Sequence, residues 1–430
     1  MSAAPTPLWL DGAGPDAAAA EPHANAALPR AVDVLVVGAG YTGLSAARET
    51  AAAGRTTLVL DASGVGRGCS SRNGGQVAYS IKPSYQDLAQ RHGADLAFRI
   101  CSEGRQALAH LRRLATDEHL DCDWQPRGGF HGAHTRRHFA AMARDAEAQP
   151  RGLEQRIDVV PRSEQHREIA TDFYHGGLIY HDDASIEPRR LLLALHARAL
   201  ASGARVLGDC AVNALQRVRD GFEVQTARGR VLARQVLLAT NGYSGSLSPW
   251  HRRRVIPIGS YQIATEPLGV GPVRALIPSG RNISDSRRVV VYYRPSPDGE
   301  RIVFGGRASL NERDALVCVP RLRAMLSQIF PSLHGVAITH AWVGWVAYTF
   351  DTLPHLGGRD GLYFSMGYCG QGVPLAPYFG MRIGQQMVGL AEGRTALDGL
   401  EFPSRPYYHG LPWFLGASVL YYRCLDALGL

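Results

Sequence analysis

The sequence predicts an α/β protein: a parallel sheet of the doubly wound kind, interleaved along the chain with an antiparallel sheet and helices. Three observations carry this. The run Val32–Val37 is continuously apolar and ends in Gly38-Ala39-Gly40-Tyr41-Thr42-Gly43. A second apolar run, Gln235–Thr240, also ends in a small-residue turn, Asn241-Gly242, and a third, Leu362–Met366, leads into Gly367-Tyr368-Cys369-Gly370-Gln371-Gly372. Between the second and third, Tyr261–Trp345 is dominated by strand-like alternation.

The first run fits a strand buried on both faces, and its glycines have the G-x-G-x-x-G spacing. Gly38 permits the tight turn, Gly40 lets a pyrophosphate approach N–H groups at a helix N-terminus, and Gly43 lets that helix lie against the strand. The helix Leu44–Ala53 is alanine-rich, and the next strand, Leu58–Leu60, ends in Asp61, 18 residues after Gly43. A carboxylate there accepts from both ribose hydroxyls of an adenosine and disfavours a 2′-phosphate. Up to this point the motif serves FAD and NAD equally. Next comes Gly66–Gln76, a run of glycines and short polar residues suited to backbone pressed against a ligand.

Further along, Ala94–Thr116 and Arg189–Ser202 show helical spacing, and Arg205–Leu207 and two short strands around Gly221 and Gly229 precede the second parallel strand. Arg288–Tyr293 and Arg301–Phe304 read as strands of the antiparallel layer, with one helix over Pro320–Phe330. After the third glycine loop a helix enters at Pro374, where a missing N–H is no loss. Its free N–H groups and positive dipole end suit a reduced flavin's anionic edge. Three glycine loops separated by inserts argue against an NAD dehydrogenase, whose nucleotide half forms one block.

At 430 residues the chain exceeds one core. The expected organisation is an N-terminal arm (1–30), a discontinuous nucleotide domain (31–85, 160–250 and 342–400), a discontinuous substrate domain (86–159 and 251–341) and a C-terminal tail (401–430). Net charge is +8, but the basic residues are dispersed arginines with one lysine, Lys82. This is weak support for an anionic ligand and weaker support for nucleic acid, and no nucleic-acid partner is expected. Seven cysteines, odd in number and without C-x-x-C spacing, suit reduced thiols in a cytoplasmic compartment and no metal site. No basic n-region leads an apolar core, and no apolar run reaches the roughly 18 residues of a membrane span; Leu411–Tyr422 is expected to be an amphipathic tail packed on its own domain, with a partner's surface as the alternative.

These residues resemble the FAD-dependent D-amino-acid-oxidase-like superfamily over nearly the whole chain, closest to the gamma-glutamylputrescine oxidase and L-pipecolate oxidase branch. The matching motifs are Gly38–Gly43, Ser71–Gln76, Ala239–Tyr243, Trp342-Val343-Gly344 with Asp351 and Pro354, Gly367–Gly372, and the tail Arg405–Tyr407, Pro412–Phe414 and Tyr421–Arg423. The resemblance implies a glutathione-reductase-type Rossmann-like domain that binds FAD non-covalently. It implies oxidation of an amine's carbon–nitrogen bond by hydride transfer to flavin N5, imine hydrolysis, and reoxidation by O2 with peroxide release. The cofactor residues it implies are Gly38, Gly40, Tyr41, Thr42, Gly43, Asp61, Ser70, Ser71, Arg72, Asn73, Gly74, Gly75, Gln76, Val212, Thr240, Asn241, Gly242, Trp342, Gly344, Asp351, Gly367, Gly370, Gln371, Gly372 and Val373.

Departures from the pattern shape the substrate expectation. Gln76 and Pro374 stand where sarcosine oxidases hold a substrate carboxylate with arginine and lysine, which favours a larger amine. No lysine occurs around Ile302–Gly305, which leaves a quinone or protein acceptor open. Val346–Tyr348 lacks the cysteine, and Cys69–Gly75 the histidine, that tether flavin elsewhere. The candidate catalytic or substrate-contacting residues are Tyr368 bordering the flavin, Gln76, Tyr261 and Tyr293 lining the pocket, and Arg294, with Arg307, as carboxylate anchors. Cys369 reads as a buried thiol, and His181-Asp182-Asp183 as a loop. A same-fold dehydrogenase and a flavin-fold subunit without turnover are the alternatives.

Overall fold

In the computed structural model, which describes residues 3–10, 27–79, 81–307 and 314–429, the apolar runs around the first glycine turn lie side by side. Strand Ala31–Val37 pairs in parallel with Thr57–Leu60 and with Gly229–Leu238. Val34, Leu35 and Val36 are buried on both faces, as a central parallel strand requires. The first sheet runs in the order His355–Arg359, Leu362–Met366, Gly229–Leu238, Ala31–Val37, Thr57–Leu60, Arg205–Leu207. Only the edge strand His355–Arg359 breaks the parallel order, while the hairpin Val212–Val218 with Gly221–Thr226 extends from Gly229–Leu238.

Helices Tyr41–Ala52, Ala94–Thr116, Pro188–Ala201 and Gly372–Met387 share one core on this sheet, with Val34, Val36 and Val59 at its floor. Tyr41–Ala52 and Gly372–Met387 cross backbone to backbone. A Cβ at Gly380 would sit 2.4 Å from the Thr42 carbonyl oxygen, and one at Gly384 2.8 Å from that of Ala46.

The second sheet has eight strands in the order Ile338–Tyr348, Ile256–Thr265, Ile302–Gly306, Val291–Pro295, Asn282–Asp285, Gly129–Gly132, Gly177–Tyr180, Ile157–Val160. All neighbours are antiparallel except Asn282–Asp285 with Gly129–Gly132. Helix Ala315–Ile329 covers its outer face, packing Leu322, Leu326 and Ile329 against Tyr261, Ile263, Tyr293 and Phe304. The inner face looks toward the first sheet.

Several boundaries differ from expectation. Ile157–Val160 and Gly177–Tyr180 belong to the second sheet, so the stretch from 160 does not join the nucleotide sheet until past residue 185. Ile338–Tyr348 pairs along its length with Ile256–Thr265, and the first sheet resumes only at His355. Helix Ala94–Thr116, expected with the substrate domain, packs instead in the first sheet's core, because an apolar stripe does not say which sheet it covers. Helix Ala315–Ile329 starts a turn early, its N-cap Asp314 accepting from the Leu316 N–H at 2.8 Å. The tail helix is Leu415–Leu428, fixed by Asp426, which accepts from the N–H groups of Arg288 and Val289 at 2.8 and 3.1 Å. Of the proposed N-terminal arm, 11–26 lie outside the described residues, whereas 3–10 are packed on the second sheet.

Two buried histidines make the fold acid-sensitive. His110 lies against Tyr378 at the seam of two helices, and His251 lies between Trp250 and Phe364. Burial, aided by nearby arginines, pushes each imidazole down to about 4. The unfolded chain, with histidines near 6.5, takes up the protons first as pH falls. Stability is therefore full above pH 6.5 and drops between 6.5 and 4. Thermal melts at pH 7.5 and 5.0 should show a lower midpoint at pH 5.0, and a smaller drop in the His110→Leu variant.

Candidate active site

The first glycine turn opens on a cavity of about 480 Å³. Gly38 has φ +108°, and a Cβ there would meet the Ala239 carbonyl oxygen at 2.8 Å. At Gly43 a Cβ would lie 1.9 Å from the Gly38 carbonyl oxygen, so the helix reaches the strand only because this residue has no side chain. Gly40 precedes the helix without a side-chain cap, and the Tyr41 N–H donates to Ser70 Oγ at 3.1 Å. Asp61 accepts from the N–H groups of Ala39 at 2.7 Å and Ser63 at 3.0 Å, which points the carboxylate along the cavity wall.

Among the predicted cofactor residues, Gly38, Gly40, Tyr41, Thr42, Asp61, Ser70, Asn73, Val212, Thr240, Asn241, Gly370, Gly372 and Val373 line this cavity, together with Tyr368. The other predicted cofactor residues lie outside its lining. The Asn241 side chain accepts from the Gly367 N–H at 2.9 Å, joining the second and third glycine turns. Gly242 and Gly344 are points of close approach, to the Trp345 backbone and to Cys69 and Arg72 respectively. The first N–H of the loop at Gln371 returns to the Tyr368 carbonyl.

Ser71–Gln76 is a seam between the two sheets. Ser71 Oγ donates to the Gly66 carbonyl, and Arg72 Nε donates to that of Arg67 at 2.9 Å. The Arg72 carbonyl accepts from Trp342 Nε1 at 3.0 Å and Gln262 Nε2 at 2.7 Å. Asn73 staples the turn internally, donating to the Ser70 carbonyl and accepting from the Gly75 N–H. Gly75 has φ +70°, and a Cβ there would clash with Ile186 and Arg294. The Gln76 amide donates to the carbonyls of Ile283 and Tyr293 at 3.2 and 3.1 Å, so its nitrogen tethers the seam to the second sheet.

Three predicted catalytic positions and one cofactor position are corrected by the structure, and Tyr368, which lines the cavity, has its hydroxyl engaged within the protein. Tyr261 and Tyr293 are fully buried on the outer face; Tyr293 stacks on Phe304, and its hydroxyl meets that of Tyr174 at 3.0 Å. Arg294 is 2% exposed, with Nε donating to the Gly74 carbonyl and Nη2 to that of Ile186, both at 2.8 Å. Its guanidinium braces the seam. The Tyr368 hydroxyl is shared with Thr42 at 2.7 Å and Ser365 at 2.9 Å, and burial pushes it up to about 12. It joins the third glycine loop to the first helix. Asp351 pairs with His355 at 3.0 Å outside the cavity; burial opposes its charge, but His355 outweighs this and holds the carboxyl low.

The strand alternation shows which side chains the sequence reading missed. Tyr292, beside Tyr293, lies on the inner face, and its hydroxyl shares a 2.6 Å hydrogen bond with Ser260. Its ring lies over Gly305 and against Gly74; a Cβ at Gly305 would meet it at 2.4 Å. On the next strands, Ser284 Oγ and His131 Nδ1 share a 2.8 Å bond, and burial holds His131 below its usual range. The alternation of Val291–Pro295 was legible; which parity faced inward was not. His251 was also missed. It borders the cavity, its Nδ1 meets Ser248 Oγ at 2.6 Å, and its buried Nε2 has no hydrogen-bond partner among the described residues. Cys369 is buried at φ +52°, its thiol pushed up to about 11 by burial. Among the loop residues considered above, His181 pairs with Asp158 and Asp182 with Arg156 and Arg112.

The model of the DAO family, described as FAD dependent oxidoreductase, matches residues 33–386. The chain is 32% identical to the gamma-glutamylputrescine oxidoreductase of Escherichia coli over 403 residues, 92% of this chain and 93% of that one. Among solved structures it is similar to glycine oxidase from Geobacillus kaustophilus, with a TM-score of 0.72 and 19% identity over 88% of this chain and 100% of that one. L-proline dehydrogenase from P. horikoshii gives 0.70 and 17% over 86% and 96%. The residues fit FAD: the glycine cradle leaves room for a pyrophosphate, Asp61 sets a carboxylate on the cavity wall, and His251 Nε2 on the same cavity has no hydrogen-bond partner among the described residues.

The Gly43→Ala variant should lose FAD affinity about tenfold or more, in line with overpacking costs of about 1–3 kcal/mol. Gly271→Ala, where a Cβ meets nothing within 4 Å, should leave it unchanged. Fluorescence titration of apoprotein with FAD measures both.

Proposed function

This chain belongs to the DAO family of FAD-dependent oxidoreductases, and from that premise we propose that it oxidises the carbon–nitrogen bond of an amine larger than a simple α-amino acid. The substrate class is a polyamine derivative such as gamma-glutamylputrescine, or a secondary or cyclic amino acid. The observation that carries this reading is the similarity to the E. coli gamma-glutamylputrescine oxidoreductase along nearly the full length of both chains. Supporting it, Gln76 and Pro374 occupy the places of a simple carboxylate clamp, and the Gln76 nitrogen is committed to backbone carbonyls.

FAD, when bound, supplies the hydride acceptor. The protein's tasks are to strip water from the amine, hold its C–H toward the cofactor and keep solvent out. The inner face offers the Tyr292–Ser260 and His131–Ser284 pairs as hydrogen-bonding groups for the amine. Burial keeps His131 neutral, so its ring offers both a donor and an acceptor. FAD is held non-covalently: Val346–Tyr348 has no cysteine, Cys69–Gly75 has no histidine, and burial pushes the Cys69 thiol up to about 12. The imine product hydrolyses in water, and the electrons pass to O2 with release of peroxide. A second reading, transfer to a quinone or protein, is favoured by the wholly buried strand Ile302–Gly306 with no lysine.

A protonated amine is a poor hydride donor, so reduction should accelerate with rising pH until the bound amine is neutral. The test is anaerobic addition of gamma-glutamylputrescine, putrescine, pipecolate, proline, sarcosine and glycine to the FAD-loaded protein, followed by air. Bleaching of the visible flavin band by one amine supports the reading, and rapid recovery with peroxide assigns O2 as acceptor. Absence of bleaching with every amine, or a pH-independent rate, would sink the amine reading and leave FAD binding intact.

A further inference from the structure

The N-terminal segment reaches the cofactor site from behind. The Ala4 N–H donates to the Thr339 carbonyl at 2.7 Å, and the Ala341 N–H donates to that of Ala4 at 2.9 Å, which lays the segment along Ile338–Tyr348. A short helical turn, Leu8–Leu10, then turns Trp9 inward, where it is 8% exposed. Its ring meets Trp342 edge-on, with centroids 5.9 Å apart, and lies 5.3 Å from the Arg294 guanidinium. Its Nε1 donates to the Asn73 carbonyl at 3.2 Å.

Three successive carbonyls of the seam are thus gripped from one side: Arg72 by Trp342 and Gln262, Asn73 by Trp9, and Gly74 by Arg294. The described peptides are all trans, and a trans peptide directs its N–H opposite to its carbonyl. The N–H groups of Asn73, Gly74 and Gly75 are therefore turned away from these donors. Gly75 gives its N–H to the Asn73 side chain, while those of Asn73 and Gly74 have no acceptor among the described residues. Asn73 itself borders the cavity.

We propose that Trp9 is a positioning residue for the cofactor: by holding the Asn73 carbonyl, it fixes the backbone of Asn73 on the cavity wall, so that the Asn73 N–H is held as a donor for the polar edge of FAD. The inference rests on FAD binding and not on the amine reading. Trp9 acts through the seam and touches no reacting atom. Its donor is specific, because phenylalanine would keep the packing on Trp342 and Arg294 and lose only the N–H.

The test is Trp9→Phe in the full chain, read by FAD titration of apoprotein, the visible spectrum of the bound flavin and the thermal midpoint of the apoprotein. The expected result is about 2- to 10-fold weaker FAD binding, the scale of one lost hydrogen bond, with a shifted flavin band and an apoprotein midpoint lowered by no more than the loss of that one bond. Wild-type affinity with an unshifted spectrum would overturn the proposal. So would weaker binding accompanied by an apoprotein midpoint lowered beyond that and an unshifted band, since that pattern marks general loss of packing.

Discussion

The inner face of the second sheet is placed relative to the nucleotide cavity through one short seam, Arg72–Gln76. Backbone carbonyls buried between two sheets are costly unless each finds a donor. Here the donors come from four separate parts of the chain: Trp342 and Gln262 on adjacent strands, Arg294 two strands further on, and Trp9 from the N-terminal segment. Each bond satisfies a carbonyl and also sets a distance between the sheets. Glycine at 74 and 75 is a consequence, since side chains there would strike Tyr292, Ile186 and Arg294.

Arg294 shows the energetic logic. Burial pulls its guanidinium down to about 10, which still leaves it cationic at neutral pH. Two hydrogen bonds to carbonyls and the face of Trp9 replace the water it has lost. A group so engaged holds architecture together, and the polar chemistry of the inner face falls to uncharged neighbours, Tyr292, Ser260, Ser284 and His131. Gly305 belongs to this set although it carries no side chain, because the Tyr292 ring occupies the space its Cβ would take.

The tyrosine pair at 292 and 293 explains why the cofactor half of the site was more legible than the substrate half. The two are adjacent in one strand and chemically identical, yet one makes a hydrogen bond with Ser260 on the inner face and the other stacks on Phe304 in the outer core. Strand periodicity gives alternation without its sign. That sign is set by helix Ala315–Ile329, which covers one face and so makes the other the site.

The nucleotide motif was determined by sequence alone because its causes are local. An apolar run buried on both faces, glycines that permit φ +108° at Gly38 and leave no room for a Cβ at Gly43, and an acid at the end of the next strand each depend on residues nearby in the chain. Tertiary structure alone decided the rest. Helix Ala94–Thr116 joined the first core because its stripe fits either sheet, and Ile338–Tyr348 joined the second because strand pairing over ten residue pairs outweighs the nearness of the third glycine loop. Trp9 came to rest behind the cofactor cavity, and His251 on its wall, through contacts across 64 residues and across the sheet edge, and no local pattern records contacts of that range.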